Sequence, residues 1–500
     1  MTKKTCLIVS IVLLAVAARS LPQTTQEPSA KPAAQEPVQK PRKNAHVIMI
    51  SIDGLPPDYY TQPAALGLKV PNLVAMKLNG AYADGVEGIY PTVTYPAHTT
   101  MVTGVRPSVH GIFENRLFEP PPAPQTREWY WFSEAIKCET LWSTAKKAGL
   151  VTASVGWPVT VGADIDYNVP EIADLKEPGS GKRTLQYATP GLIAKALGAE
   201  NGGDNSTDGR RTSISEYIIA NYKPNLMLIH LIALDDAQHK NGARTPAALA
   251  VAEKMDAYLG RILEAAKKAG ISDTTTFFLV SDHGFAPVQK KFEVGVVLVK
   301  EKLITLDAAG KPVDWIAYPW NAGGSCAIIL KDPEDKETAI KVTEIFNKIA
   351  GKAGGPLYRV LARTDLDRLG AVPNAFLMLD ATSGYAFGDD FTGPEIHESK
   401  DYRGTHGHLP SRPELRSSLI IYGESARVGS RVGIARMLDI GPTAAAVLGL
   451  VLPTAEGLAI RELLKSDLVI PTNPKKKSTD KSKKNKNSGS GSSNRPASAV

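Results

Sequence analysis

The chain is 500 residues long, 43% hydrophobic and 22% charged, a composition for a globular protein with a large core or one domain carrying a big insertion. Its net charge of +7 belongs to the ends: residues 475–500 carry +7 and residues 1–43 carry +5, leaving the body near −5. A nucleic-acid-binding core is therefore not supported.

Met1-Thr-Lys-Lys4, the 13-residue apolar run Cys6 to Ala18 and the small residues before Ser20 have the three-part pattern of a secretory signal over residues 1–20. The run is too short for a comfortable membrane span, so the expectation is a cleaved signal and a secreted or periplasmic protein. Residues 21–43, rich in Pro, Gln, Ala and Lys, read as a flexible linker. The body, 44–470, alternates apolar strands with amphipathic helices, which predicts an α/β domain with a mostly parallel sheet flanked by helices. Strands are expected at 46–52 (HVIMISI), ending at Asp53-Gly54; at 225–232 (NLMLIHLI), ending before Asp235; and at 275–280 (TTFFLV), ending at Ser281-Asp-His-Gly284. All three deliver acidic residues at their carboxyl ends, where open α/β sheets place ligands. Helices are expected near 139–148, 207–221, 245–269 and 336–350, with a last one over 436–448 closed by Gly449. Residues of about 284–405 read as an inserted cap region that returns the chain at His406. The tail, 471–500, is a basic, solvated low-complexity segment able to touch anionic surfaces. Cys6 leaves with the signal; a secreted chain permits a bridge between Cys138 and Cys326, although sequence does not establish that they meet.

An aspartate at a strand end is ordinarily a turn or cap residue, and Asp53 before Gly54 fits that reading alone. The adjacent Asp282-His283 pair points instead to a metal. Asp235 and His239 are four apart, so one turn puts both on the same side, with Asp236 a competing ligand. Carboxylate with imidazole suits zinc. In Gly404-Thr-His-Gly-His408, glycine lets the backbone approach and His406 can complete a metal site, while His408 reads as a supporting or solvated group. Thr94 lies in Tyr90-Pro-Thr-Val-Thr-Tyr-Pro-Ala-His98, near the N-cap of a helix that Pro96 suits in its first turn. A helix start offers free N–H groups to a phosphate, and a metal there would make the threonine oxygen nucleophilic. Thr92 is the rival hydroxyl. Asn115 is a candidate donor to a phosphate oxygen, and Tyr95 could stack on a base or aryl group. His98, His110 and His230 read as structural.

These motifs, with Val102-Thr-Gly-Val-Arg-Pro-Ser-Val-His-Gly-Ile-Phe-Glu-Asn115, Trp157-Pro-Val-Thr-Val-Gly162 and Leu438-Asp-Ile-Gly-Pro-Thr-Ala-Ala-Ala-Val-Leu-Gly449, resemble the alkaline phosphatase superfamily and, within it, the nucleotide pyrophosphatase/phosphodiesterase family. The resemblance covers most of 45–460. It implies an alkaline-phosphatase-like core and two zinc ions, one held by Asp235, His239 and His406, the other by Asp53, Asp282, His283 and the Thr94 oxygen. It also implies a covalent phosphothreonine at Thr94, with Asn115 holding phosphoryl oxygens. Two positions depart from the family pattern: Gln238 stands where Gly is usual and His230 where Tyr is frequent. No cation adjoins Thr94 in sequence, which favours a small diester or nucleotide substrate over a dianionic monoester. A phosphomonoesterase or phosphonate hydrolase is the alternative within the superfamily. A sulfatase would carry an Arg shortly after its nucleophile, which this chain lacks. A non-catalytic, metal-stabilised secreted binding protein is the alternative of another class.

Overall fold

The computed structural model describes residues 40–123, 126, 128–198 and 204–471. The predicted signal, all of the linker before residue 40 and the tail beyond residue 471 lie outside them. Eight strands build the main sheet: β1 (His46–Ile52), β2 (Gly80–Glu87), β3 (Thr152–Val155), β4 (Tyr167–Val169), β5 (Leu226–Leu231), β6 (Thr275–Val280), β7 (Leu419–Gly423) and β8 (Arg431–Arg436). Their spatial order is β8-β2-β7-β6-β1-β5-β3-β4. Seven run parallel; β7 alone runs against its neighbours β2 and β6.

β1 sits at the centre, and all seven of its residues are buried. Its side chains alternate, Val47 and Met49 entering the core on one face and Ile48, Ile50 and Ile52 the core on the other. That two-sided burial is why the strand reads as one continuous apolar run. The first face is covered by helices Thr94–Thr103, Leu141–Lys147 and Ile440–Val447. The second is covered by Pro71–Leu78, Thr207–Tyr222 and Pro246–Lys268. The last of these starts on Thr245, whose side chain accepts from the Ala248 N–H, with Pro246 at the first helical position where no N–H is needed. The expected terminal helix begins as a short 3-10 turn, Met437–Asp439, before the α-helix proper.

Residues 286–405 form separate, smaller sheets. An antiparallel four-stranded sheet is built from Ala317–Ala322, Ser325–Leu330, Leu377–Ala381 and Leu357–Ala362, with Lys336–Ala350 contributing Val342 and Phe346 to its core. Ala286–Phe292 organises a second, pairing with Gly384–Phe387, Ile396–Glu398 and Gly404–Thr405, and Ile304–Leu306 pairs with Pro312–Trp315 in a third. Cys326 is buried in this region and Cys138 is half-buried elsewhere; both thiols are free. Among the described residues no helix is long and apolar enough to cross a membrane.

Candidate active site

The parallel register aligns Ile52 with Leu231 and Ser51 with Val280, so β1, β5 and β6 end level with one another. Beyond those ends lie Asp53, the helix Ala233–Asn241 and the Ser281–His283 turn. Gly54 has φ +68°, a left-handed turn that a side chain would strain, and a Cβ there would lie 2.7 Å from the Phe285 ring. Asp282 closes this corner, its Oδ1 accepting from the Gly54 and His283 N–H groups at 3.0 Å each. One helical turn places Asp235 Oδ2 3.3 Å from His239 Nε2, whereas Asp236 is exposed and joins no ligand group. His406 arrives through backbone pairing, Gly404 and Thr405 lying against Pro287 and Ala286 just after His283.

Two groups of ligand atoms result, each with its members within 4.8 Å: Asp53, Asp282 and His283, and Asp235, His239 and His406. The His283 and His406 rings stack at 3.6 Å with an interplanar angle of 11°, so the groups are side by side. Every one of these histidines faces a backbone carbonyl with Nδ1: His239 with Gly404 at 2.9 Å, His406 with Thr92 at 2.9 Å and His283 with Gly284 at 3.2 Å. A carbonyl only accepts, so Nδ1 donates and the Nε2 lone pair is left for a ligand. Three buried carboxylate oxygens, Asp53 Oδ1, Asp235 Oδ1 and Asp282 Oδ2, have no hydrogen-bond partner. They lie 3.4, 3.7 and 3.2 Å from His283, His406 and His283 Nε2 respectively.

Burial and the neighbouring Asp282 and Asp235 push the Asp53 carboxyl well above its ordinary range. Burial likewise pushes Asp235 up to about 7. Burial acts on Asp282 in the same direction, but His283, His98 and the Gly54 N–H outweigh it and hold that carboxyl low. His406 is pushed well below its ordinary value by burial and by His283 and His239. Orphaned acidic oxygens opposite imidazole lone pairs are what divalent cations satisfy, and this mixed oxygen and nitrogen donor set suits zinc.

Thr94 is the first residue of its helix, and Val93 rather than Thr94 occupies the cap position with no side-chain cap bond. The hydroxyl is therefore not spent as a cap. Its Oγ1 stands 3.5 Å from His283 Nε2. Thr92, the rival, has its hydroxyl engaged, donating to His408 O at 2.9 Å and accepting from Gly407 N at 3.0 Å. His408 is buried, joins neither group, and is pushed down to about 3 chiefly by burial. Asn115 Oδ1 accepts from the Tyr95 N–H at 2.8 Å, which leaves its Nδ2 as the free end.

Tyr95 departs from expectation. Its ring is fully buried, edge-on to Trp129 and Trp131 at 5.2 and 5.8 Å, and its hydroxyl donates to Glu171 Oε1 at 3.0 Å. No open face remains for stacking on a base; Tyr95 acts on the site through the N–H that orients Asn115. His98 is structural as expected, binding Thr94 O at 2.8 Å and Ser51 Oγ at 2.8 Å, and His110 meets Thr100 Oγ1 at 3.1 Å. His230 is buried but touches the site directly, its Nε2 3.0 Å from Asp53 Oδ2. Sequence reasoning passed over Glu171 and Arg211, which sit beside it: Arg211 Nη2 donates to Glu171 Oε2 at 3.1 Å. Neither residue lies in a motif; only an unpaired acid after a short strand could have drawn attention to Glu171.

Candidate acidic and imidazole ligands at the carboxyl edge of a mostly parallel sheet, beside a hydroxyl on a helix start, fit a metal-dependent hydrolase of phosphoesters. A model of the type I phosphodiesterase / nucleotide pyrophosphatase family matches residues 47–408, and the chain belongs to that family. Human ectonucleotide pyrophosphatase/phosphodiesterase family member 1 is 23% identical over 248 residues, covering 47% of this chain and 23% of that protein. The chain thus matches about a quarter of that relative's length. Mouse bis(5'-adenosyl)-triphosphatase is 22% identical over 423 residues, covering 81% of this chain and 77% of the relative. Among solved structures, murine ectonucleotide pyrophosphatase/phosphodiesterase 5, in an inactive form with AMP, superposes with a TM-score of 0.61 at 19% identity, over 84% of this chain and 100% of that one.

Proposed function

We propose that the chain is an exported two-zinc phosphodiesterase/nucleotide pyrophosphatase that works through a phosphothreonine at Thr94 on small diesters or nucleotides. The observation that carries this is the set of three orphaned carboxylate oxygens facing imidazole Nε2 atoms, beside a threonine hydroxyl 3.5 Å from one of those nitrogens. Asp235, His239 and His406 would hold one ion, and Asp53, Asp282, His283 and the Thr94 oxygen the other. When bound, the pair of ions supplies Lewis acidity for the attacking and departing oxygens of an in-line displacement.

Thr94 Oγ1 attacks phosphorus, the bond to the leaving oxygen breaks, and water then cleaves the threonine ester and restores the hydroxyl. Asn115, fixed by the Tyr95 N–H, offers its Nδ2 to a phosphoryl oxygen. His98 holds the Thr94 carbonyl and so the first turn of the helix. Among the described residues no Lys or Arg side chain bonds to Thr94, Asn115 or the six ligands, and Arg211 is engaged by Glu171 and the His230 carbonyl. That distribution of charge supports a monoanionic diester. We assign residues 44–470 to the catalytic domain, with 284–405 as its inserted cap.

The test is metal analysis of the purified protein together with rates on an aryl diester, an aryl monoester and a dinucleotide. The expected result is about two zinc ions per chain, fastest turnover on a diester, and loss of turnover in Thr94→Ala with the fold intact. A metal-loaded wild type inactive on all three substrates would overturn the reading; a monoester preferred over both diesters would replace it with a phosphomonoesterase.

A further inference from the structure

The two positions where this chain departs from the family pattern both turn inward onto the Asp53-Gly54 corner. His230 lies in β5, fully buried. Its Nε2 is 3.0 Å from Asp53 Oδ2, and its Nδ1 is 3.0 Å from Glu171 Oε2 and 3.1 Å from Gly156 O. Gln238, also fully buried, donates Nε2 to Gly54 O at 2.7 Å and accepts from the Tyr59 hydroxyl at 3.3 Å. We propose that His230 and Gln238 are positioning residues that clamp Asp53, one on its carboxylate and one on its backbone, with Glu171 and Arg211 holding His230.

A carboxylate offers two oxygens, and rotation about its terminal bond exchanges them. With Oδ2 engaged by His230, that rotation stops and Oδ1 is aimed at the ligand group, where it is the orphaned oxygen 3.4 Å from His283 Nε2. The backbone must be fixed as well, because Asp53 leads into a left-handed glycine turn. Gln238 does that from the helix that also carries Asp235 and His239, so the two ligand groups are tied to one another through it.

The support behind His230 is equally specific. Glu171 accepts from the Tyr95 hydroxyl and from Arg211 while facing His230. Arg211 also donates Nη1 to the His230 carbonyl at 2.9 Å, so one guanidinium grips both the residue and its partner. It lies against Gly156, where a Cβ would come within 2.6 Å of the guanidinium. Tyr95 links this network to Asn115, so the Asp53 clamp and the proposed phosphoryl donor share one support.

The inference rests on the two-metal reading, and its test separates the two. Zinc affinity is measured by competition against a chromophoric chelator, with a thermal melt for each protein and kcat and KM on an aryl diester. His230→Leu is expected to weaken one of the zinc equivalents about 10–100-fold while sparing the other, and to lower kcat more than KM. His230→Gln, whose amide can still donate to Asp53, is expected to stay within a few-fold of wild type. A packing role predicts the reverse order, since Leu suits a buried apolar strand better than Gln. Should His230→Leu fail to fold, Gln238→Met carries the comparison and is expected to weaken the same equivalent. Folded His230→Leu or Gln238→Met with both affinities unchanged overturns the clamp, as does equal impairment by Leu and Gln at residue 230. A wild type that binds no zinc overturns the metal reading and the clamp with it.

Discussion

Thr94 stays chemically available because its hydroxyl is not drawn into either neighbouring role: the cap position falls on Val93, which makes no side-chain cap bond, and Thr92 ties down the 407–408 loop. Thr94→Ser keeps the oxygen and should retain measurable diesterase activity, whereas Thr94→Val should retain none, a comparison made by initial rates at saturating substrate. Thr92→Val leaves the Gly407 N–H without its acceptor and should cost about 1–3 kcal/mol in a denaturant melt. Glu114 lies outside both candidate ligand groups and is buried. Burial pushes its carboxyl up to about 7, so the folded protein holds that proton more tightly than the unfolded chain does. Stability present below the unfolded value is therefore lost as pH rises toward 7, by on the order of 2–3 kcal/mol, and Glu114→Gln should flatten that slope. At this scale the six candidate ligands were legible because residue type and order announce them. The uncapped Thr94 hydroxyl beside His283 and the buried Tyr95 ring were not, because whether a side chain is capped or covered depends on partners distant in sequence, such as His283, Glu171 and Trp131.

Among the elements, β1, β5 and β6 could be read from sequence because full burial leaves an unbroken apolar run that stops at a charged turn. The two-residue strand Gly404–Thr405 carries no such signature, yet its pairing with Ala286 and Pro287 is what delivers His406. Gly407 continues that delivery with φ +99°, and a Cβ there would fall 1.7 Å from Ala322 O. Gly407→Ala should therefore move the loop, adding strain of order 1–3 kcal/mol. Zinc titration should show the equivalent bound through Asp235, His239 and His406 weakened, while circular dichroism of the main sheet stays near wild type.

The molecule as a whole brings its candidate ligands from residues 53 to 406 onto one sheet edge, so whatever binds them bridges distant parts of the chain. Chelation should lower the thermal midpoint. Free zinc at a thousandfold excess over its dissociation constant would contribute about 4 kcal/mol, so the midpoint should rise with added zinc in wild type and respond less in Asp235→Ala. β2, which leads into Thr94, reaches β6 only through β7, and β7 is residues Leu419–Gly423. A growing chain can align β1, β5 and β6 as soon as those strands exist, but the sheet bonds that set the register of β2 wait until the last fifth of the sequence has been synthesised. The pairing that fixes β2, and with it the chain leading to Thr94, is thus synthesised after all three acids of the site, while His98 already ties the Thr94 turn to Ser51 of β1.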